Sequence, residues 1–250
     1  MTAAEAVRVE VDAPVATVTL SRPEALNAIT PGMLDELGEA LTALAGDDGV
    51  AVVVLTGAGR AFSAGVDLKA LGGRSLEGGM VGDVLDGPAR RVTGLLSTMR
   101  PVTIAKVNGH CYTGALELAL ACDLVVAAEE ARLGDTHAKW GLRPTWGMSA
   151  RLPAAVGPAR ARELSYTART FTGAEAAAWG LAVAAHPLAD LDAAVADLAA
   201  RIAANSRGSL AAYKDLYRAG EGATTAEALA YEASAAYPID DTEERVAAFR

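Results

Sequence analysis

The chain has 250 residues, 52% of them hydrophobic and 21% charged, a balance that suits a packed domain, alone or with an appendage, and excludes a disordered segment. A formal net charge of −9, with no basic cluster denser than the pair Arg90 and Arg91, argues against nucleic acid and anionic membrane as partners. No apolar run approaches membrane-spanning length and the N-terminus lacks a basic start, so the protein is expected in the cytoplasm, with Cys111 and Cys122 as buried thiols in a reducing compartment.

VRVEVDA and VATVTLS alternate with period two around Asp12-Ala13-Pro14 and predict a β-hairpin. A helix follows, capped by Thr30 with Pro31 in its first turn, and striped by Met33, Leu34, Leu37, Leu41 and Leu44. VAVVVLTG (50–57) is a β-branched run of the kind covered on both faces, and PVTIAKV (101–107) and DLVVAAE (123–129) repeat it after helical stretches at 88–99 and 114–122. The first half therefore predicts an α/β core. Beyond residue 145 the strand signal nearly vanishes. Helices are predicted at 146–155 and 158–167, another behind the capping box Thr172 to Glu175, and Ala-rich helices at 188–204, 208–219 and 224–236. Leu188, Leu191, Val195, Leu198 and Ile202 share one face, so this region needs the core or another subunit to pack against. The segment LGGRSLEGGMVGDVLDG (71–87), with six glycines, reads either as a lid or acyl-pocket wall or as a flexible surface loop.

Within GHCYTGALELALACD (109–123) a single carboxylate, Glu117, interrupts a run that reads as a buried helix. A buried carboxylate is paired, shifted in pKa, or beside water in a pocket. A capping box does not account for it, because three residues after Thr113 stands Leu116; a helix-terminus carboxylate favoured by the dipole remains the structural alternative. Gly114 at the helix start can bring its N–H close to a ligand. If the loop of TGAGRAFSAGVDLKAL comes near Gly114, the N–H of Val66 after Gly65 completes a pair of donors able to stabilise an oxyanion or enolate, although the loop by itself is weak evidence. The same loop lacks the third glycine of a dinucleotide fingerprint, with Phe62 in its place, and AFSAG is a poor nucleophile elbow, which counts against NAD and against Ser63 as a nucleophile.

Four segments taken together, SRPEALNAI (21–29), VVLTGAGRAFSAGVDLKAL (53–71), VNGHCYTGALELALACDLVVAA (107–128) and ARLGDTHAKWGLRPTWGMSARLPAAVG (131–157), resemble the crotonase (enoyl-CoA hydratase/isomerase) superfamily. The resemblance implies an α/β spiral of ββα units with a helical C-terminal trimerisation region, divided here as residues 1–190 and 191–250, and assembly as a homotrimer or a dimer of trimers. It implies that the N–H groups of Val66 and Gly114 hold a thioester carbonyl oxygen and that Glu117 is one of two catalytic glutamates. Ala25, Leu26, Ala64, Asp67 and Leu68 are implied around coenzyme A, the carrier of the acyl substrate, with no metal or redox cofactor.

The second glutamate of hydratases falls at His137 in GDTHAKWG. Three readings stand open: the imidazole transfers protons, as its ordinary titration near neutrality suits; it orients water or substrate while Glu117 makes both transfers; or it is non-catalytic and a group such as Asp135 contributes. Isomerases of the Δ3,Δ2 type use a glutamate at this position, which disfavours that reaction. Glu24 stands where a basic residue often meets the CoA phosphates, and the chain stops at AAFR before the usual basic tail, so neither contact is expected. His110 either lines the pocket or is a satisfied buried histidine, His186 is expected at the surface, and Trp140 and Trp146 serve as packing or as a substrate platform. The expected activity is hydration of an enoyl-CoA, or the reverse. The alternatives are another crotonase-type reaction (isomerase or hydrolase) and a non-catalytic CoA-binding homologue.

Overall fold

Alternation of apolar residues forms the hairpin of β1 (Val7–Asp12) and β2 (Val15–Leu20), and Thr30, whose Oγ1 accepts from the Met33 N–H at 3.2 Å, opens α1 (Pro31–Ala45). Such a cap contributes about 1 kcal/mol. The computed structural model describes residues 5–69, 72 and 77–248. The predicted stripe Met33, Leu34, Leu37, Leu41 and Leu44 is buried throughout, each leucine contributing about 1.5–3 kcal/mol. The chain continues through β3 (Val52–Gly57), β4 (Ala61–Ser63), α2 (Asp83–Thr98), β5 (Val102–Val107), β6 (His110–Tyr112), α3 (Gly114–Ala121), β7 (Leu124–Ala128) and β8 (Arg132–Gly134). After these come α4 (Met148–Val156), α5 (Pro158–Thr167), β9 (Phe171–Thr172), α6 (Gly173–Ala178), β10 (Ala184–His186), α7 (Leu188–Ala203), α8 (Arg207–Gly220), α9 (Thr225–Ser234) and α10 (Thr242–Ala248).

Two sheets organise these elements. The large one runs β1-β2-β3-β5-β7-β10, parallel from β2 onward, and the small one runs β4-β6-β8-β9, with β4, β6 and β8 parallel. Successive ββα units feed both: β3, β5 and β7 enter the large sheet, and the strands that follow them enter the small one. Helices α1, α2 and α7 cover the large sheet or one another, and β3 is buried along its whole length, as its β-branched run requires.

The short strands were not expected. β4, β6, β8 and β9 are two or three residues long, too short for a period to register, and β10, Ala184–His186, pairs with β7 through alanines with little strand propensity of their own. Short strands therefore continue beyond residue 145, where the sequence signal for them nearly vanishes. Helix α2 begins at Asp83 rather than 88, carrying Pro88 inside it, where the missing N–H removes one bond near the first turn. Of the glycine-rich segment, residues 71 and 73–76 lie outside the described residues. Its latter part is packed: Gly79 accepts from the Arg143 N–H at 2.9 Å.

The C-terminal helices form as predicted, but the boundary expected after residue 190 falls inside α7, whose Leu191, Val195 and Ala199 are buried against the sheet. α8 is latched to the core by Lys214, whose Nζ lies 2.7 Å from Asp123 Oδ2 and donates to the Leu96 and Pro101 carbonyls at 2.9 and 3.2 Å. By contrast α9 and α10 bury no residue, and Tyr213, Tyr217, Leu229, Tyr231 and Val246 are exposed. Among the described residues no helix is long and apolar enough to cross a membrane.

Candidate active site

The segments that carry the candidate residues leave the C-terminal ends of three adjacent parallel strands. Val66 follows β4, Gly114 follows β6, and Asp135 and His137 follow β8. In open α/β architectures this is where ligand sites form, because loops at neighbouring strand ends converge. A cleft of about 130 Å³ joins them, lined by Ala64, Val66, Leu68, Gly114, Glu117, His137 and Trp146 among others.

Local backbone conformation aims the two N–H groups. Gly65 has φ +87°, and a Cβ there would meet the Tyr112 carbonyl at 2.7 Å, so only glycine lets the β4 loop lie this close to β6. An isolated parallel bridge between Ile29 and Val66, with the Ile29 N–H on Gly65 O and the Asp67 N–H on Ile29 O, turns the Val66 N–H the opposite way. Thr113 adopts φ 54°, a conformation costly for a β-branched residue. Its N–H is bound to Gly134 O at 2.9 Å and its hydroxyl to that of Thr136, which hold the strained turn in place ahead of Gly114. Neither the Val66 nor the Gly114 N–H has an acceptor among the described residues. Both residues line the cleft.

Glu117 is 1% exposed, and the question its position raised has a definite answer. Oε1 accepts from the N–H groups of Trp146 and Met148 at 2.9 and 3.0 Å, leaving Oε2 toward His137 Nε2 at 3.6 Å. Burial pushes its carboxyl above the usual range, against the two backbone bonds and the nearby imidazole, which pull it down. A helix-terminus role alone does not describe a carboxylate fixed by another segment and facing a cleft.

His137 is buried as well. Its Nδ1 lies 2.6 Å from Asp135 Oδ1, which also accepts the His137 N–H at 3.2 Å, while Asp135 Oδ2 accepts from the Ser165 hydroxyl at 2.7 Å. A carboxylate so placed can only accept, which makes Nδ1 the donor and leaves Nε2 to face Glu117. Burial drives the Asp135 carboxyl up, but hydrogen bonds from His137 and Ser165 outweigh it and hold it below the usual range. The site thus contains a fixed order of groups, Ser165, Asp135, His137 and Glu117.

The other expected residues are distributed unevenly. Ala64 and Leu68 line the cleft. Ala25 and Leu26 lie beside it, joined through the Ala64 N–H on Leu26 O at 2.9 Å. Asp67 is bound by Arg22 at 3.2 Å and is not among the lining residues. Ser63 is completely buried, its hydroxyl accepting from the Gly65 N–H, as a turn residue rather than a nucleophile. His110 stacks on Tyr112 away from the lining, and His186 ends β10, half-buried. Trp140 stands exposed at the cleft mouth, whereas Trp146 is buried against Gly114. Val81, from the glycine-rich segment, contributes to the wall. Among the described residues no cluster is placed to hold a metal ion.

Three supporting residues escaped the sequence reading. Asn27, completely buried, donates to the Ala58 and Ala61 carbonyls at 2.9 and 2.8 Å and so fixes the β3 to β4 turn. Ser165 locks Asp135. Asp86 sits on the buried face of α2 with Leu85, Ala89, Val92 and Leu96; starting the helix at 88 hid the same signal that had marked Glu117.

Comparison with known proteins agrees along the whole chain. The family model for enoyl-CoA hydratase/isomerase matches residues 10–249. A probable enoyl-CoA hydratase of Mycobacterium bovis is 33% identical over 98% of this chain and 95% of its own. A probable peroxisomal enoyl-CoA hydratase of Arabidopsis thaliana is 39% identical over 63% of this chain, an alignment spanning 57% of that protein. The crystal structure of an enoyl-CoA hydratase from Bacillus anthracis superposes with a TM-score of 0.90 at 31% identity, covering 98% of this chain and 95% of that one.

Proposed function

The chain belongs to the enoyl-CoA hydratase/isomerase family, with its crotonase fold, and on that premise we propose that it hydrates a 2-enoyl-CoA thioester, or dehydrates the corresponding 3-hydroxyacyl-CoA, at the cleft between the strand ends of the small sheet. One observation carries the reading: two unengaged backbone N–H groups, a buried carboxylate and an oriented imidazole face the same cleft.

In the forward direction Glu117 takes a proton from water as the water oxygen bonds to Cβ. The π pair moves onto Cα and the thioester carbonyl, giving an enolate whose oxygen is held by the Val66 and Gly114 N–H groups. The proton gained by Glu117 passes to Nε2 of His137 across a gap of 3.6 Å, which a small displacement or one water closes, and the imidazolium so formed delivers that proton to Cα. Asp135 keeps Nδ1 occupied, so each transfer runs through Nε2. Coenzyme A enters as part of the substrate, beside Ala25, Leu26, Ala64 and Leu68.

Two further elements belong to this proposal. The exposed apolar residues of α8 and α9 suit assembly as a homotrimer or a dimer of trimers, and two buried free thiols suit a reducing, cytoplasmic compartment. The test is loss of the conjugated thioester absorbance of crotonyl-CoA for wild type, Glu117→Gln and His137→Ala. Hydration by wild type, lowered about 10²- to 10⁴-fold in the first variant and about 10- to 100-fold in the second, is the expected result. Coenzyme A binding without hydration would overturn the reading.

A further inference from the structure

Trp146 joins the parts of the site without supplying a reacting group. Its main-chain N–H donates to Glu117 Oε1 at 2.9 Å. Its indole lies against the oxyanion-side glycine so closely that a Cβ on Gly114 would stand 2.4 Å from Cζ3 and about 3 Å from the neighbouring ring atoms. Its Nε1 donates to Asp86 Oδ1 at 2.8 Å, an oxygen that also takes the Thr145 hydroxyl at 2.7 Å. Asp86 is itself 2% exposed, on the buried face of α2.

An indole wedged along one edge and tethered at its N–H cannot swing aside as a leucine or methionine at the same place would. It is 3% exposed yet forms part of the cleft lining, so it closes the cleft beside Gly114 and Glu117. Other parts of the lining differ: Leu68 and Trp140 are 42% and 58% exposed. The lining thus sets a rigid, large obstacle beside Gly114 and Glu117 and adaptable, solvated side chains at Leu68 and Trp140.

Resting on the hydratase reading, we propose that Trp146 is the specificity-determining wall of the acyl pocket and Asp86 the positioning residue that fixes it, so that the enzyme selects short, linear 2-enoyl groups over long ones. A purely structural role, in which the ring only supports the Glu117 loop, predicts equal losses on every substrate. The size-gate role predicts a change in their ratio.

The experiment measures kcat/KM for crotonyl-CoA and trans-2-decenoyl-CoA, with calorimetric Kd values for the unreactive butyryl-CoA and decanoyl-CoA. Wild type is expected to favour the short substrate by at least tenfold. Trp146→Ala is expected to shift the long-to-short ratio at least tenfold toward the long chain, Trp146→Phe and Asp86→Leu to shift it less, and Asp86→Asn, which keeps an acceptor for the indole, to restore the wild-type preference. Circular dichroism and thermal midpoints verify folding, and the Phe and Asp86 variants carry the test if the alanine variant does not fold. A ratio unmoved within twofold across the folded Trp146 variants, or equal wild-type use of both chain lengths, overturns the proposal. Failure of wild type to hydrate either substrate overturns the hydratase reading instead, and the two saturated-chain affinities then decide the size gate alone.

Discussion

The large sheet and the small sheet are built on opposite principles. In the large sheet β3 runs six residues, all buried, and β2, β3, β5 and β7 pair in parallel in that order. In the small sheet β4, β6 and β8 run three residues each, and the register between β4 and β6 shifts at Ser63. Strands this short contribute few ladder bonds, so their geometry is held from outside: by Asn27 on the β3 to β4 turn, by the paired hydroxyls of Thr113 and Thr136, and by glycines where a Cβ would collide. The long strands supply stability through apolar burial. The short ones supply aim, since β4, β6 and β8 each end where a segment of the proposed site begins. A fold that separates the two duties can keep strained, polar, close-packed segments at the site while the neighbouring core remains regular.

Four substitutions test that separation, in order of expected effect. Glu117→Gln is expected to lower kcat about 10²- to 10⁴-fold, the range for loss of a proton-transfer group, without loss of stability at neutral pH. The sign follows from burial, which raises the folded-state pKa above its unfolded value. The folded chain then binds more protons than the unfolded one, so ionising Glu117 subtracts stability as pH rises above the usual carboxylate range. The gap in thermal midpoint between variant and wild type should therefore widen in favour of the variant over that rise, and a variant less stable at neutral pH would contradict it. In wild type the acid limb of kcat/KM is expected above the usual carboxylate range for the same reason.

Leu41→Ala, in a completely buried position of α1, is expected to cost about 2–5 kcal/mol in urea unfolding with kcat retained. A fall in kcat comparable to that of a site variant would break the division between the sheets. Gly114→Ala should act on both sides of it. The added methyl meets the Trp146 ring at 2.4 Å, and overpacking of this kind costs about 1–3 kcal/mol, accompanied by a drop in kcat because the displaced backbone carries the proposed oxyanion donor. Normal kcat would mean that the Gly114 N–H is not used.

Asp135→Asn is expected to have the smallest effect, about tenfold on kcat, by loosening the orientation of His137 rather than removing it. Its stability signature is also directional. The depressed folded-state pKa of Asp135 gives stability that is present above the unfolded carboxylate value and lost as pH falls through the lower folded value. The variant should therefore show a flatter stability profile across that acid window in pH-dependent denaturation. An unchanged profile would remove Asp135 from the ordered chain of groups.

Much of this division was already visible in the residues. The β-branched runs at 50–57, 101–107 and 123–129, the leucine stripe of α1 and the Thr172 capping box each reappear as predicted, because burial on one face or both leaves a period that local sequence records. Glu117 was conspicuous as a charge in an apolar helix, and the four motifs carried the family. What escaped notice was short or conditional on a neighbour: β4, β6, β8, β9 and β10, and Asp86, hidden by a helix start placed five residues late.

By itself, then, the sequence determined the α/β core, the helical C-terminal region, the family, and the isolated acid with its two glycine-flanked donors. Only the tertiary structure decided the company Glu117 keeps: Trp146 and Met148 on one oxygen, His137 across from the other, and Asp135 and Ser165 behind the histidine. Ser165 on α5 and Glu117 on α3 stand far apart in the chain and are linked through Asp135 and His137, on the segment that follows β8. Periodicity reports which face of an element is buried, but not which distant polar atom will satisfy a buried charge.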